Sequence, residues 1–301
     1  MVWYASPMAY FDEYDLIIVG AGVSGSALLY MCTRFTDIQR IAVIEKYDEP
    51  AQVNSLPTHN SQTLHCGDIE TNYSLDKALE VQRAASMVRN YALAQPDKHR
   101  IIYKYPKMVL GVGYDECRLL EERYEILKPH YPDLELFDED KIHKIEPNIV
   151  EQRKDEIIAL GSVNEYTGIN FETLSQSFIS QAQLNADRSG RIVDVFYNEK
   201  VESSNLYPDG LDITTDKNVY FTKSLVVCAG GHSLQLAHKM GFGFQYSVLP
   251  IAGSYYHTPT ALQGKVYTIQ NEALPFAAIH GDPDVTHPHT TRFGPTALVL
   301  P

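Results

Sequence analysis

Short apolar runs and apolar residues at helical spacing alternate near the start of the chain. The run LIIV at residues 16–19 predicts a buried strand, and the pattern after a glycine-containing turn predicts a helix over residues 24–35. A second apolar run in RIAVIEK, residues 40–46, predicts another buried strand. A strand, a helix and a strand in this order predict a β-α-β unit.

Two further patterns follow along the chain. Charged residues interleave with Leu, Val, Ala and Met at helical spacing over residues 74–95 and 116–128, which predicts an inserted helical region. From residue 164 onward the sequence predicts a helix over residues 170–186 and then apolar strands separated by turn residues such as YPDG. These strands are RIVDVFYN, LDITTD and SLVVCAGG, at residues 191–198, 211–216 and 224–231.

The composition is that of a folded protein with room for two domains. The chain has 301 residues, of which 44% are hydrophobic, and domains take roughly 100 to 200 residues each. The formal net charge is -13 and the basic residues form no cluster, so we expect no nucleic-acid partner. Four scattered cysteines without a C-x-x-C pair indicate a reducing, cytoplasmic location.

Residues 16–32 carry no charge, yet the pattern around them argues against a signal peptide or a membrane anchor. Acidic residues precede the stretch where a signal peptide is basic, and three glycines interrupt it. The stretch therefore fits the strand, turn and helix predicted above.

The three glycines, Gly20, Gly22 and Gly25, have the G-x-G-x-x-G spacing of a dinucleotide fingerprint. Glu45 ends the second strand 20 positions after Gly25, where a carboxylate accepts hydrogen bonds from the adenosine ribose and repels a 2′-phosphate. FAD or NAD is therefore predicted, and NADP is disfavoured. The sequence has no second complete fingerprint, and VVCAGG at residues 226–231 is typical of a strand that approaches a dinucleotide, so FAD is favoured.

Several stretches resemble the malate:quinone oxidoreductase family of the D-amino-acid-oxidase-like flavoprotein superfamily. The most specific ones lie at residues 60–78 and 264–284, and the others are shorter. In the family's order they are VGAGVSGSAL, VIEKYD, NSQTLHCGDIETNYSLDKA, VVCAGGHSL, LPIAGSYY, GKVYTIQNEALPFAAIHGDPD and TRFGPTAL.

The resemblance implies an α/β fold, in which a Rossmann-like, glutathione-reductase-like FAD-binding domain of the D-amino-acid-oxidase type is interleaved with an α+β substrate domain. The expected bounds are 1–75 and 164–240 for the FAD-binding domain, 76–163 for a helical substrate region, and 241–301 for the rest of the substrate domain. Family members continue beyond the position of Pro301, so the resemblance implies a C-terminally truncated chain.

The resemblance further implies an FAD-dependent enzyme that oxidises (S)-malate to oxaloacetate and passes electrons to a membrane quinone. Peripheral contact with the inner face of the cytoplasmic membrane is expected with it. The segment HNSQTLHCGDIETNY, residues 59–73, is expected to approach the flavin ring. The predicted cofactor-binding residues are Gly20, Gly22, Val23, Ser24, Gly25, Glu45, Lys46, Asn60, Ser61, Gln62, Thr63, Val201, Ala229 and Gly230.

Oxidation of a 2-hydroxy acid requires a base for the hydroxyl proton and a cation or donor for the carboxylate. We predict His280 as the base, because imidazole titrates near neutral pH, and Asp282 as the group that orients it. Arg292 is the predicted carboxylate ligand, since a guanidinium binds a carboxylate through two hydrogen bonds. His65 is predicted to bind the second carboxylate or to lie against the flavin.

Three alternatives stay open or are disfavoured. L-2-hydroxyglutarate dehydrogenases or oxidases, and other flavin oxidoreductases of 2-hydroxy or amino acids, share parts of the pattern. A non-catalytic, truncated FAD-binding fragment is an alternative of a different class. The stretch HGDPDVTHPH has the donors of a metal site, but its spacing is irregular, so no metal is predicted; its candidate ligands are His280, Asp282, Asp284, His287 and His289.

Overall fold

The computed structural model describes residues 12–151, 153–270 and 278–299. It divides the chain into two compact units. The first contains the described residues up to Asn60 together with Phe171–Val248, and the second contains Ser61–Asn170 together with the described residues from Leu249 onward. Each unit is thus built from two separate stretches, with divisions after residues 60, 170 and 248, where the sequence predicted them after 75, 163 and 240.

Strands and helices alternate along the described residues. The strands are β1 (Glu13–Val19), β2 (Arg40–Ile44), β3 (Ile102–Lys104), β4 (Lys107–Val112), β5 (Glu135–Phe137), β6 (Ile157–Ser162), β7 (Tyr166–Ile169), β8 (Ile192–Phe196), β9 (Val201–Tyr207), β10 (Gly210–Thr215), β11 (Val219–Val227), β12 (Ile251–Ala252), β13 (Tyr256–Pro259), β14 (Lys265–Thr268), β15 (His280–Pro283), β16 (Thr290–Gly294) and β17 (Leu298–Val299). The helices are α1 (Val23–Phe35), α2 (Leu75–Ala94), α3 (Lys98–Ile101), α4 (Tyr114–Leu127), α5 (Glu139–Ile145), α6 (Pro147–Val150), α7 (Phe171–Ser189) and α8 (Ser233–Lys239).

The first unit is organised around a twisted sheet with the strand order β8-β2-β1-β11-β10-β9. The strands β8, β2, β1 and β11 run parallel, and β10 and β9 are antiparallel to their neighbours. The predicted β-α-β unit is confirmed, because α1 connects the parallel neighbours β1 and β2. The uncharged stretch at residues 16–32 is accordingly strand, turn and helix.

Alternation along β1 explains how this sheet is covered on both faces. Leu16 and Ile18 belong to a core with residues of α1 and α7. Ile17 and Val19 belong to a second core on the opposite face, which includes Leu236 of α8. A strand buried on both faces is apolar throughout, which is why the run LIIV was recognisable in the sequence.

The second unit contains a sheet with the strand order β13-β16-β15-β14-β4-β6-β5. Only β14 and β4 among these neighbours run parallel within the described residues. Apolar cores lie on its two faces, one containing Val109 and Leu120 and the other Met108 and Phe137. Two shorter ladders, β3 with β7 and β12 with β17, complete the described strands of this unit.

The predicted inserted helical region is wrong in part. The helices over residues 74–95 and 116–128 are present as α2 and α4, and Ser74 caps α2 by accepting a hydrogen bond from the Lys77 amide at 3.2 Å. The same region also contributes β3, β4, β5 and β6, however. A short apolar run such as that of β4 has no periodicity of its own, so the surrounding helical pattern concealed it.

Among the described residues, no helix combines the length and the apolar character that crossing a membrane requires.

Candidate functional site

The glycine turn of the first unit is shaped by close backbone contacts. Gly20 has φ of +102°, and a Cβ there would lie 2.5 Å from the Cys228 carbonyl oxygen. A Cβ on Gly25 would lie 1.9 Å from the carbonyl oxygen of Gly20, so only glycine lets α1 start this close to β1. At Gly22, by contrast, a Cβ would meet just the Ser55 hydroxyl, at 3.4 Å, in the part of the chain that the structure describes. Gly22 therefore has a role other than internal packing.

Glu45 lies directly beside this turn. Its carboxylate is buried and accepts hydrogen bonds from the amides of Ala21 at 2.8 Å and Tyr47 at 3.0 Å. At the start of α1, the Val23 amide donates to the Ser55 hydroxyl at 3.0 Å. The structure thus joins the end of β2, the glycine turn and the helix N-terminus into one polar corner, as the fingerprint predicted.

The other predicted cofactor residues of the first unit lie in different surroundings. Ala229 and Gly230 directly follow β11, which pairs with β1. The Asn60 side chain donates to the carbonyl oxygens of Asn54 and Leu56. Val201 is buried in the apolar core. Ser24 is exposed and Lys46 is half-buried, with its ammonium 4.9 Å from the centre of the Tyr47 ring.

The predicted base, His280, lies at the start of β15 in the second unit and is 5% exposed. Its Nδ1 lies 2.9 Å from the Ala278 carbonyl oxygen, which can only accept, so Nδ1 carries the proton. Nε2 lies 3.1 Å from Oδ2 of Asp282 and 3.4 Å from the Tyr255 hydroxyl. The ring also stacks on Tyr267, with the centroids 4.6 Å apart.

The position of Asp282 differs from its predicted role as the group that orients His280. The Ala278 carbonyl makes Nδ1 the hydrogen-bond donor, whereas Asp282 faces the other ring nitrogen, Nε2. Burial raises the pKa of Asp282, but Lys265, His280 and Arg292 outweigh it, and the pKa is lowered. Burial and the Asp282 charge raise the pKa of Tyr255 to about 12, so this phenol keeps its proton.

Arg292 is 2% exposed and its guanidinium faces groups of the chain itself. It donates to the Ser61 carbonyl oxygen at 2.9 Å and lies 3.8 Å from Asp282 and 3.7 Å from Asp284. It also covers the face of the Tyr255 ring, 5.1 Å from its centre. In this state the guanidinium is engaged in internal contacts, and its role as a carboxylate ligand stays a prediction.

Lys265 is a member of this cluster that the sequence interpretation missed. Its ammonium donates to Oδ1 of Asp282 at 3.1 Å and to the hydroxyl of Thr63 at 2.9 Å. The side chain is completely buried at the start of β14. A lysine at the start of an apolar strand is usually solvent-exposed, so nothing in the sequence distinguished this one.

Residues 61–63, predicted to contact FAD, lie in the second unit and are bound to this cluster. Gln62 is fully buried with φ of +52°, donates to Asp284 at 3.2 Å and accepts from the Val285 amide at 2.7 Å. Ser61 and Thr63 contact Arg292 and Lys265, as described above. Their contact with FAD stays a prediction.

His65 contacts a carboxylate that is not a member of this cluster. Its exposed imidazole lies 2.7 Å from the Glu70 carboxylate. As for the metal alternative, the His, Cys, Asp and Glu side chains of the described residues form no group of three or more suited to a metal ion. Asp284 instead accepts hydrogen bonds from Thr286 and the His287 amide.

Comparison with solved structures identifies the fold. The structure resembles glycine oxidase from Geobacillus kaustophilus, with a TM-score of 0.69 at 16% identity over 97% of this chain and 72% of that chain. It also resembles the dithionite-reduced L-alpha-glycerophosphate oxidase from Mycoplasma pneumoniae with FAD bound, with a TM-score of 0.67 at 19% identity over 95% and 72% of the two chains. The chain therefore has the fold of these flavoprotein oxidases, and the predicted α/β fold class is confirmed.

Sequence comparison identifies the family. The family model of malate:quinone oxidoreductase matches residues 12–298. A probable malate:quinone oxidoreductase from Campylobacter jejuni is 44% identical over 300 residues, covering 96% of this chain and 66% of the relative. The chain belongs to the malate:quinone oxidoreductase family, which confirms the resemblance, and it spans about two thirds of the length of that relative.

Proposed function

We propose that this chain takes part in the FAD-dependent oxidation of (S)-malate to oxaloacetate, with a quinone as the electron acceptor. The observation that carries this proposal is the cluster around His280, in which one ring nitrogen is anchored on a carbonyl and the other faces a buried carboxylate. Membership of the malate:quinone oxidoreductase family supports the choice of malate over 2-hydroxyglutarate.

The glycine corner of the first unit fits the adenosine and pyrophosphate part of FAD. Backbone can approach a ligand at Gly22, where among the described residues, apart from its sequence neighbours, no backbone atom lies within 4 Å of a Cβ position. Amide groups at the start of α1 and the positive end of its dipole would hold the phosphates, and Glu45 would hold the ribose. When bound, FAD supplies the acceptor for the hydride that leaves the hydroxyl-bearing carbon.

His280 supplies the base in this proposal. In this proposal Nε2, the ring nitrogen that does not face the Ala278 carbonyl, takes the hydroxyl proton of malate while the carbon loses its hydride. Oδ2 of Asp282 is buried and has no hydrogen-bond donor among the described residues. The new N–H and positive charge of His280 would lie next to this oxygen, which stabilises the protonated ring. Arg292 is the proposed ligand of a malate carboxylate.

The quinone acceptor and a peripheral position on the inner face of the cell membrane are proposals drawn from the family. Fractionation of cells that express the chain would test the second. Recovery in the membrane pellet, with release by high salt or carbonate, is the expected result. Recovery of all the protein in the supernatant would contradict it.

Anaerobic titration of the flavin-loaded chain tests the activity. Malate is expected to bleach the visible flavin absorbance, and 2-hydroxyglutarate is not. The variant His280→Gln should keep FAD but slow bleaching about 100-fold or more, because the base is lost. Bleaching by 2-hydroxyglutarate alone would contradict the substrate assignment, and a chain that binds no FAD would support the non-catalytic alternative.

The cofactor site has a test of its own in a matched pair of glycine variants. Gly22→Ala should fold normally and bind FAD at least tenfold more weakly, because its methyl group has room in the chain but not beside a pyrophosphate. Gly25→Ala should lower stability as well, because its methyl group would overlap the Gly20 carbonyl. Equal FAD binding by Gly22→Ala and the unmodified chain, measured by equilibrium dialysis, would contradict the assignment.

A further inference from the structure

Five side chains of the second unit form a closed circuit around the proposed base. His280 contacts Asp282, Asp282 accepts from Lys265, and Lys265 donates to Thr63. The Thr63 hydroxyl lies 3.1 Å from the Tyr267 hydroxyl, and the Tyr267 ring stacks on His280, which closes the circuit. We call these residues the His280 circuit: His280, Asp282, Lys265, Thr63 and Tyr267.

Lys265 hydrogen-bonds to both Asp282 and Thr63, and each of these connects it to a different side of the His280 ring. One arm runs through Asp282 to the nitrogen Nε2, and the other runs through Thr63 to the ring that stacks on the imidazole. The hydrogen bond from Lys265 to Oδ1 of Asp282 holds this carboxylate in an orientation in which its other oxygen, Oδ2, faces Nε2 of His280. The bond to Thr63 restrains the hydroxyl that Tyr267 contacts.

The chain contains a natural control for this arrangement. Lys107 pairs with Lys265 at the same register of the parallel strands β4 and β14, and it is equally buried. Its ammonium, however, contacts the carboxylates of Asp68 and Glu165, which are not members of the His280 circuit. Loss of a buried lysine as such can therefore be separated from loss of this particular one.

The geometry points to Lys265 as a positioning residue that holds the imidazole of His280 through Asp282 on one side and through Thr63 and Tyr267 on the other. This role rests on the proposed function only in taking His280 as the base. The arrangement of the ring itself can be observed without cofactor or substrate.

Long-range ¹H–¹⁵N spectra of the full chain, labelled with ¹⁵N in histidine, provide the test. The signals of His280 are assigned by their absence in His280→Gln. At one fixed pH, Lys265→Met should shift the His280 Nε2 and Nδ1 signals toward those of the solvent-exposed histidines. Lys107→Met should leave them at their original positions. Unchanged signals in Lys265→Met, or equal shifts in both variants, would overturn the proposal.

Thr63→Val gives a second variant that leaves the buried charges in place. It removes only the hydroxyl between Lys265 and Tyr267, and a smaller shift of the same His280 signals is expected. If Lys265→Met does not fold, this variant decides, and unchanged His280 signals in it would overturn the proposal.

A kinetic measurement separates positioning from a general loss of stability. In the flavin-loaded chain, Lys265→Met should lower the maximal rate of flavin reduction by malate on the order of tenfold or more at unchanged half-saturating malate. A change in half-saturation alone would overturn the positioning role. Should the unmodified chain show no reduction by malate, the proposed function fails, whereas the spectra of His280 still decide the role of Lys265.

Discussion

Lys107 and Lys265 occupy paired positions on neighbouring parallel strands, yet their surroundings differ in charge. The ammonium of Lys107 lies 2.5 Å from Asp68 and 2.7 Å from Glu165, so two carboxylates share one cation. Lys265 has one carboxylate, Asp282, at 3.1 Å, and that carboxylate also faces a second cation, Arg292, at 3.8 Å.

The pKa values of the two lysines shift in opposite directions for this reason. Burial lowers both pKa values, because it disfavours the charged form. At Lys107 the attraction of the nearby acidic groups outweighs burial and raises the pKa, whereas at Lys265 the single carboxylate does not outweigh burial, and the pKa is lowered. The position of a lysine in a sheet therefore does not determine the direction of its pKa shift, which depends on the charged groups around it.

The largest expected difference is in stability. Lys107→Met should lower the free energy of unfolding by about 3–5 kcal/mol, because Asp68 and Glu165 then repel each other in a buried site. Lys265→Met should cost less, about 2 kcal/mol, because His280 and Arg292 remain close to Asp282. Urea unfolding followed by circular dichroism gives both values.

The exposed Lys77 is a suitable control for both variants. Its pair with Glu80 lies on the surface of α2, so Lys77→Met should change stability by no more than about 0.5 kcal/mol. A cost of Lys265→Met equal to or above that of Lys107→Met would contradict the comparison.

A difference in pH dependence should accompany these effects. Burial raises the pKa of Asp68 from 3.8 to about 6. A carboxyl group with a raised folded-state pKa adds stability below its unfolded pKa, and this is lost as the pH rises through the folded value. The stability of the chain minus that of Asp68→Asn should therefore fall by on the order of 2 kcal/mol between about pH 4 and 6.

Asp282 should show the opposite sign. Its pKa is lowered, so its contribution is present above its unfolded pKa and is lost as the pH falls further. The free energy of unfolding of the chain minus that of Asp282→Asn should be constant above about pH 4 and should decrease below it. If the stability differences for Asp68→Asn and Asp282→Asn changed with pH in the same direction, the surroundings of Lys107 and Lys265 would not differ in the way described here.

The smallest effect concerns the neutral partner of Lys265. Thr63→Val removes a hydroxyl that accepts from the Lys265 ammonium, donates to the Ser61 carbonyl oxygen and contacts the Tyr267 hydroxyl. The ion pair of Lys265 with Asp282 stays, so about 1.5 kcal/mol of stability should be lost. Thr258→Val serves as the control, because the Thr258 hydroxyl donates to the carbonyl oxygens of Pro259 on β13 and Thr291 on β16, and neither is a charged group. Urea midpoints that shift equally for the two variants would mean that Lys265 gains nothing specific from Thr63.

The predictable part of the fold was the part in which local pattern and tertiary environment agree. The strands β1 and β2 are buried on both faces and contain continuous apolar runs, and Gly20 and Gly25 of the turn are required by backbone contacts alone. The strands of the second unit within residues 76–163 were missed. Short apolar strands between amphipathic helices have no periodicity that separates them from the helices.

The candidate site was predictable to a smaller extent. His280, Asp282 and Arg292 were selected from the sequence by residue type and resemblance, and the structure brings these three together. Lys265 and Tyr255 were not found, because their residue types did not mark them and their contacts with Asp282 and His280 form only in the folded protein. His65 was grouped with them but pairs with Glu70 instead.

By itself, the sequence determined the glycine turn, the β-α-β unit, the family and the residue types of a polar site, since these depend on neighbouring residues and on fixed spacing. The tertiary structure alone decided that β14, β15 and β16 lie side by side and that β14 pairs with β4. It thereby decided which carboxylates each buried lysine faces. Charge interactions depend on distance and burial rather than on order along the chain, so partners far apart in sequence, such as Thr63 and Lys265 at 202 positions, become visible only in the folded protein.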